Sequence, residues 1–258
     1  MSDLLQLTRR AALAGAAGAG GLMLAGCDQL SRSSSFVRVL STAQRLNLKA
    51  QRLLLPEDRL APQYAQADIS PWFKPNGSFT GTTDDYKRML DDGFESYRLQ
   101  VGGLVRHPLT LSLAELRALP AKSQITRHDC VEGWSAIGGW AGVQLGLLLK
   151  AAQLTPQARY IVFHCADNLG GGGPSGLYYE SIDLDDAFHP QTILAYDMNG
   201  QPLPTPHGAP LRLRLERQLG YKMAKYVMSV EAVTDYRHIG SGRGGFWEDR
   251  GYQWYAGI

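Results

Sequence analysis

Arg127-His128-Asp129-Cys130-Val131-Glu132-Gly133-Trp134-Ser135 is the stretch on which the reading of this chain turns. Residues 125–130 form an extended run, so His128 and Cys130 point to the same side. A second pair, His164-Cys165, follows the apolar strand run Tyr160-Ile161-Val162-Phe163. Neighbours on a strand face opposite ways, so only one of His164 and Cys165 can join the first pair. Three chemistries fit these residues. One is a disulfide between Cys130 and Cys165, which an oxidising compartment permits. Another is a zinc site using His128, Cys130 and either His164 or Cys165, although that spacing is not a standard ligand pattern. The third makes Cys130 a thiolate ligand to a soft or redox-active metal.

Working outward, the 258 residues carry 26 Lys+Arg against 24 Asp+Glu, with 44% hydrophobic and 19% charged residues. That composition excludes a disordered or fibrous chain. A net charge of +2 gives no basic footprint for nucleic acid, so no nucleic-acid partner is expected. Three cysteines without a Cys-x-x-Cys pair make neither a disulfide framework nor a zinc ribbon. Residues 1–26 read as an export signal: Arg9-Arg10, an uncharged Ala/Gly-rich stretch, then small residues before a cut. The twin arginines point to the Tat route. Leu24-Ala25-Gly26-Cys27 resembles a bacterial lipobox, which predicts lipidation of Cys27, and Asp28 resembles the signal retaining lipoproteins at the inner membrane. The expected location is the periplasmic side of that membrane. Residues 27–63 are read as a tether or N-terminal helix ended by Pro56, and residues 64–258 as one domain.

Within that domain strands and short helices alternate without a regular βαβ rhythm, so the fold class is α+β. Thr83 caps a short helix ended by Gly93, and Ser112-Leu113-Ala114-Glu115 is a capping box whose helix Pro120 closes. Helices are also expected over 143–152 and 183–188. Strands are expected over 97–101, 160–163, 193–196, 211–216 and 227–233. Asn199-Gly200 marks a tight turn. The run Gly170 to Pro174 lacks the Gly-Lys-Ser/Thr of a P-loop and reads as a loop near the site mouth. Arg243 and Lys222 are expected in solvent.

His128 to Ser135, Ser181-Ile182-Asp183-Leu184, Leu194-Ala195-Tyr196-Asp197-Met198-Asn199-Gly200, His207-Gly208-Ala209-Pro210-Leu211-Arg212 and Gly220-Tyr221-Lys222-Met223-Ala224-Lys225 occur in this order. Together they resemble the sulfite oxidase superfamily of molybdopterin oxidoreductases over about residues 70–257. The nearest likeness is to stand-alone periplasmic members such as the catalytic subunit of methionine sulfoxide reductase. The resemblance implies a molybdopterin-binding fold of mixed sheets, short helices and long loops, and molybdenum-molybdopterin as cofactor. It implies Cys130 as the protein ligand to molybdenum, which displaces the disulfide. It also implies pterin contacts from Phe73, Asn76, His128, Cys165, His207 and Arg212, and a phosphate site at Met223, Ala224 and Lys225. The activity implied is two-electron oxygen-atom transfer, with reduction of a small S- or N-oxide favoured. The alternatives are sulfite-dehydrogenase-like oxidation of an oxyanion, or a non-catalytic lipoprotein binding module. No haem or iron–sulfur ligand set is present in the sequence, so a separate electron partner is expected, a cytochrome or a haem-bearing membrane subunit. A monomer is expected.

Overall fold

Capping and alternation set the local structure of the chain. The computed structural model describes residues 33–54, 59–170 and 176–258, and divides at Leu54/Leu55 into two units. The expected signal segment 1–26, Cys27 and residues 171–174 of the glycine run lie outside the described residues. In the first unit, α1 (Ser34–Leu54) takes up the helical spacing read there.

The first α-helix of the second unit is α2 (Asp84–Asp91), where the Thr83 hydroxyl accepts from the Tyr86 N–H at 3.2 Å. One sheet then runs in the order β2 (Leu109–Ser112), β1 (Arg98–Gly103), β10 (Val227–Val233), β5 (Tyr160–Asn168), β6 (Leu177–Asp183). Only β1 and β10 pair in parallel, so the sheet is mixed. Between β2 and the next strand sits α3 (Leu113–Ala118), held by the reciprocal Ser112–Glu115 capping box.

The second sheet pairs β3 (Ala121–Cys130), β4 (Trp134–Gln144), β7 (Ile193–Met198) and β8 (Gln201–Pro202), with β9 (Arg212–Arg214) on β7. After β4 the chain enters α4 (Leu145–Ala152), and α5 (Leu184–Phe188) follows β6 with the Asp183 carboxylate capping it at 3.0 Å. The helix expected from residue 143 begins at Leu145, because Val143 is still paired with Ala121 and Leu194. The main core lies against the first sheet, from Leu99 and Ile161 to Phe163 and Val230. A smaller cluster of Phe73, Ala136, Trp140, Ile193 and Met198 lies on the second.

One expectation is overturned. Lys222 is not solvated; it is fully buried. Its Nζ donates to Glu180 Oε1, to Glu248 Oε1 at 2.7 Å and to the Ser181 carbonyl at 3.0 Å. β6 places Glu180 inside, and the short helical turn at Glu248–Arg250 brings a second carboxylate to it, so the pair needs a cation between them. Burial, then Glu248, push the Glu180 carboxyl well above the usual carboxylate range. Arg243 is exposed, as expected.

Lys222→Met would leave two buried glutamates facing each other. It is expected to lower the unfolding free energy by about 3–5 kcal/mol, read from urea denaturation, whereas a loss under about 1 kcal/mol would show that the lysine is dispensable.

Candidate active site

Cys130 ends β3, and residues 131–133 turn the chain into β4 so that Cys130 pairs with Trp134. Gly133 adopts φ 85°, a left-handed conformation that closes this turn, and its N–H donates to the Cys130 carbonyl at 3.0 Å. Glu132 braces the turn by accepting from Trp134 Nε1 at 2.9 Å and Lys74 Nζ at 3.1 Å. Cys130 is a free, buried thiol. Burial pushes its pKa up, and the Glu132 backbone N–H pulls the other way. Cys165 is also free, so the disulfide is not formed.

Cys130 shares a cavity with Asn76, Asp167, Tyr178, Met223 and Lys225. Behind it lies His128, fully buried, its ring 5.4 Å from both Phe73 and Trp134. Arg214 Nη1 donates to His128 Nδ1 at 3.0 Å. A guanidinium can only donate, so the neutral ring carries its proton on Nε2, which has no partner among the described residues. Burial, then Arg214, hold this imidazole far below its ordinary pKa.

β9 places Arg212 and Arg214 on one side, and both guanidinium groups lie over the Trp140 ring, at 5.0 and 4.2 Å from its centroid. The two arginines differ in one respect. Arg214 Nη2 is paired with Glu216 at 2.7 Å. Arg212, fully buried, donates from Nη1 to the His207 carbonyl at 3.0 Å, while its Nε and Nη2 have no partner among the described residues. Lys225 beside it donates to the carbonyls of Asn76 at 2.6 Å, Ser78 and Pro206 at 3.1 Å. At Gly208 (φ 111°) a Cβ would come within 2.9 Å of Lys225 Cβ and 3.1 Å of Arg212 Cβ. A side chain there would wedge the two cations apart.

These cations are held against their own preference. Burial, then Arg214, bring Arg212 down to about 9. Burial, then Arg212, bring Lys225 down to about 7 and His207 to about 4. Opposite them, burial lifts the Asp167 carboxyl to about 6; its Oδ2 accepts from Ser78 Oγ at 2.6 Å and its Oδ1 has no described partner. Buried donors without acceptors and cations without counter-charge make a site for an anion.

A family model described as the oxidoreductase molybdopterin binding domain matches residues 87–239. The chain is a molybdopterin-binding oxidoreductase. It belongs to the sulfite oxidase superfamily, and its cofactor is molybdenum-molybdopterin. A relative from Azospira oryzae, named as a protein-methionine-sulfoxide reductase subunit, YedZ1, is 40% identical over 250 residues, 96% of this chain and 87% of that one. A more distant structural likeness, TM-score 0.49 at 22% identity, is to the sulfane dehydrogenase SoxCD of Paracoccus pantotrophus, covering 58% of this chain and 42% of that one.

The residues present fit a molybdopterin. The Arg212 donors without a described partner and Lys225, whose hydrogen bonds among the described residues go to carbonyls, suit an anionic phosphate, and Cys130 supplies a free thiol in the same cavity. Of the residues named from sequence, Cys130, Asn76, Met223 and Lys225 line the cavity directly. Phe73, His128, His207 and Arg212 stand behind it as one connected group: Phe73 packs on His128 and His207, and Arg212 bonds His207. Two residues sit elsewhere. Ala224 is in the main core, its carbonyl accepting from the Leu213 N–H at 2.8 Å. Cys165, also in the core, borders a separate cavity with His164, Tyr179 and Phe246. Asp167, Tyr178, Tyr221 and Trp247 line the Cys130 cavity but were not singled out from the sequence. Asp167 carried a signal, two positions past Cys165; the tyrosines and Trp247 read as ordinary core.

Lys225 links this charge to stability. Its pKa is lowered from the usual 10.5 to about 7 in the fold, so between those values the unfolded chain holds a proton the folded chain has released. Stability of the cofactor-free protein therefore rises with pH through that window. Urea midpoints at pH 7, 8 and 9 are expected to climb in the wild type more than in Lys225→Met. Parallel profiles would mean that an acid neutralises this lysine.

Proposed function

We propose that this chain is an exported oxidoreductase that reduces a small S- or N-oxide by two-electron oxygen-atom transfer, with Cys130 as the protein ligand to molybdenum. The observation that carries the reading is the fully buried Arg212, two of its donors unpartnered, beside Lys225 and within a fold of this family. When bound, the molybdenum centre alternates between oxidised and reduced states and so supplies the oxygen-atom transfer.

The chain's own groups do the rest. Cys130 gives a soft anionic donor once its sulfur loses the proton that burial now favours. Lys225 and Arg212, with the backbone of Met223, take the pterin phosphate. Phe73, Asn76, His128 and His207 orient the pterin, His128 through its free Nε2 donor and Asn76 through its free Oδ1 acceptor. Cys165, a small buried thiol, packs in the main core.

The remaining parts of the reading concern where the enzyme works. Residues 1–26 direct export by the Tat route, Cys27 takes lipid, 27–63 tether the domain and 64–258 form the cofactor domain on the periplasmic side of the inner membrane, as a monomer. The name of the Azospira relative, a reductase subunit, supports a separate electron partner, a cytochrome or haem-bearing membrane protein. It also makes methionine sulfoxide the first S-oxide to try.

Metal analysis of holoenzyme and of Cys130→Ala, with dye-linked assays, tests the reading. Expected are about one molybdenum per wild-type chain and reduction of methionine sulfoxide by reduced dye, with turnover in the variant down by at least about a thousandfold, as for loss of a group essential to the reaction. Zinc, or no metal, in protein made with intact cofactor synthesis would overturn it. Sulfite oxidation outpacing sulfoxide reduction would reverse the assigned direction.

A further inference from the structure

Helix α1 holds Arg38, Arg45, Lys49 and Arg52 and no Asp or Glu from Ser34 to Leu54. At 3.6 residues per turn the four basic positions fall within an arc of about 60°. Val39, Ala43, Leu46, Ala50 and Leu53 fall within a different arc of about 80°. That apolar stripe is not covered: Val39, Leu46 and Leu53 are 63%, 62% and 87% exposed, and Leu54 at its end is 77% exposed. Ala43 and Ala50 are exposed as well. A continuous apolar stripe left in water marks a contact surface. No described helix is long and apolar enough to cross a membrane, so this one is suited to lie against a surface.

We infer that α1 binds flat on an anionic phospholipid bilayer, its apolar stripe in the acyl boundary and its basic stripe drawn to acidic headgroups. Charge complementarity selects this occupant: Arg38, Arg45 and Lys49, on a helix without Asp or Glu, match a surface of one sign, and long basic side chains suit headgroups beside an apolar stripe. A second copy of the helix fits less well. Two of the five stripe positions are the small Ala43 and Ala50, which make shallow knobs, and the helix offers no carboxylate to pair with Lys49 across a dimer. The inference deepens the membrane-side location proposed above, yet it does not depend on lipidation of Cys27. It adds the second of the two signals that stable peripheral attachment requires.

The test uses molybdenum-loaded enzyme from Asp28 onward, which keeps α1 and the whole cofactor domain but has no leader and no acyl chain. It is floated with vesicles of phosphatidylethanolamine containing phosphatidylglycerol, and with phosphatidylcholine vesicles. Binding to the anionic vesicles is expected to exceed binding to the zwitterionic ones by at least about tenfold and to weaken with salt. The variants Arg38→Gln/Arg45→Gln/Lys49→Gln/Arg52→Gln and Leu46→Asp/Leu53→Asp are each expected to lose about tenfold in bound fraction. Dye-linked turnover stays at wild-type level in both, because α1 belongs to a unit apart from the cofactor domain. Equal binding to both vesicle types, or full retention by either variant, overturns the inference. So does a dimer in sedimentation velocity that Leu46→Asp/Leu53→Asp dissolves, which would give the stripe to a second copy. Neither result touches the molybdenum content, on which the proposed activity stands or falls separately.

Discussion

A guanidinium buried without an acid beside it is the constraint around which the site of this protein is built. Removing such a charge from water is costly, and the fold ordinarily meets that cost with a carboxylate, as it does two residues later where Arg214 meets Glu216. Among the described residues Arg212 has the His207 carbonyl and the face of Trp140, and its Nε and Nη2 go without a partner. Lys225 next to it has three carbonyls and no carboxylate at ion-pair distance among the described residues. The protein therefore carries a buried positive field that a bound anion completes. Burial, and then that field, keeps His128 and His207 neutral, so both act as hydrogen-bonding rings rather than as further charges.

Around that field the two sheets have separate duties. The β3–β4 hairpin delivers Cys130 at its tip and holds it there through Glu132, Trp134 and Lys74. The first sheet supplies Asp167 and Tyr178 from β5 and β6. The C-terminal segment closes the rim with Trp247 and Tyr252, pinned from below by the Lys222–Glu180–Glu248 cluster. A buried triad of this kind is a poor source of net stability, but through Lys222 it ties Glu248, next to Trp247, to Glu180 on β6. In this way Lys222, whose side chain turns away from the cavity its neighbours Tyr221 and Met223 line, ties down the segment that carries two aromatic walls.

Capped helices and apolar alternating strands were legible from the residues: Thr83, Ser112 and Asp183 each cap the helix they announce. β4 was not, because Gly138, Gly139 and Gly142 give it the composition of a loop, and only pairing to β3 on one side and β7 on the other makes it a strand. Lys222 was misread for a related reason. Nothing in Gly220-Tyr221-Lys222 shows that Glu180 and Glu248, 42 and 26 residues away, converge on it. Cys165 on β5 and Ala224 in the loop before β10 both stand near cavity residues in sequence, yet both pack into the main core.

By itself the sequence determined the capped helices, the α+β class and the family, since motif order along a chain survives without coordinates. Through the resemblance to that family it also pointed to Cys130, Arg212 and Lys225, whose chemistry suits a soft metal and an anion. Which cations lack a counter-charge was decided only by the tertiary structure. Arg212 and Arg214 are indistinguishable as letters in an alternating strand, and the difference between them is that folding brings a carboxylate to one and leaves two donors of the other unanswered.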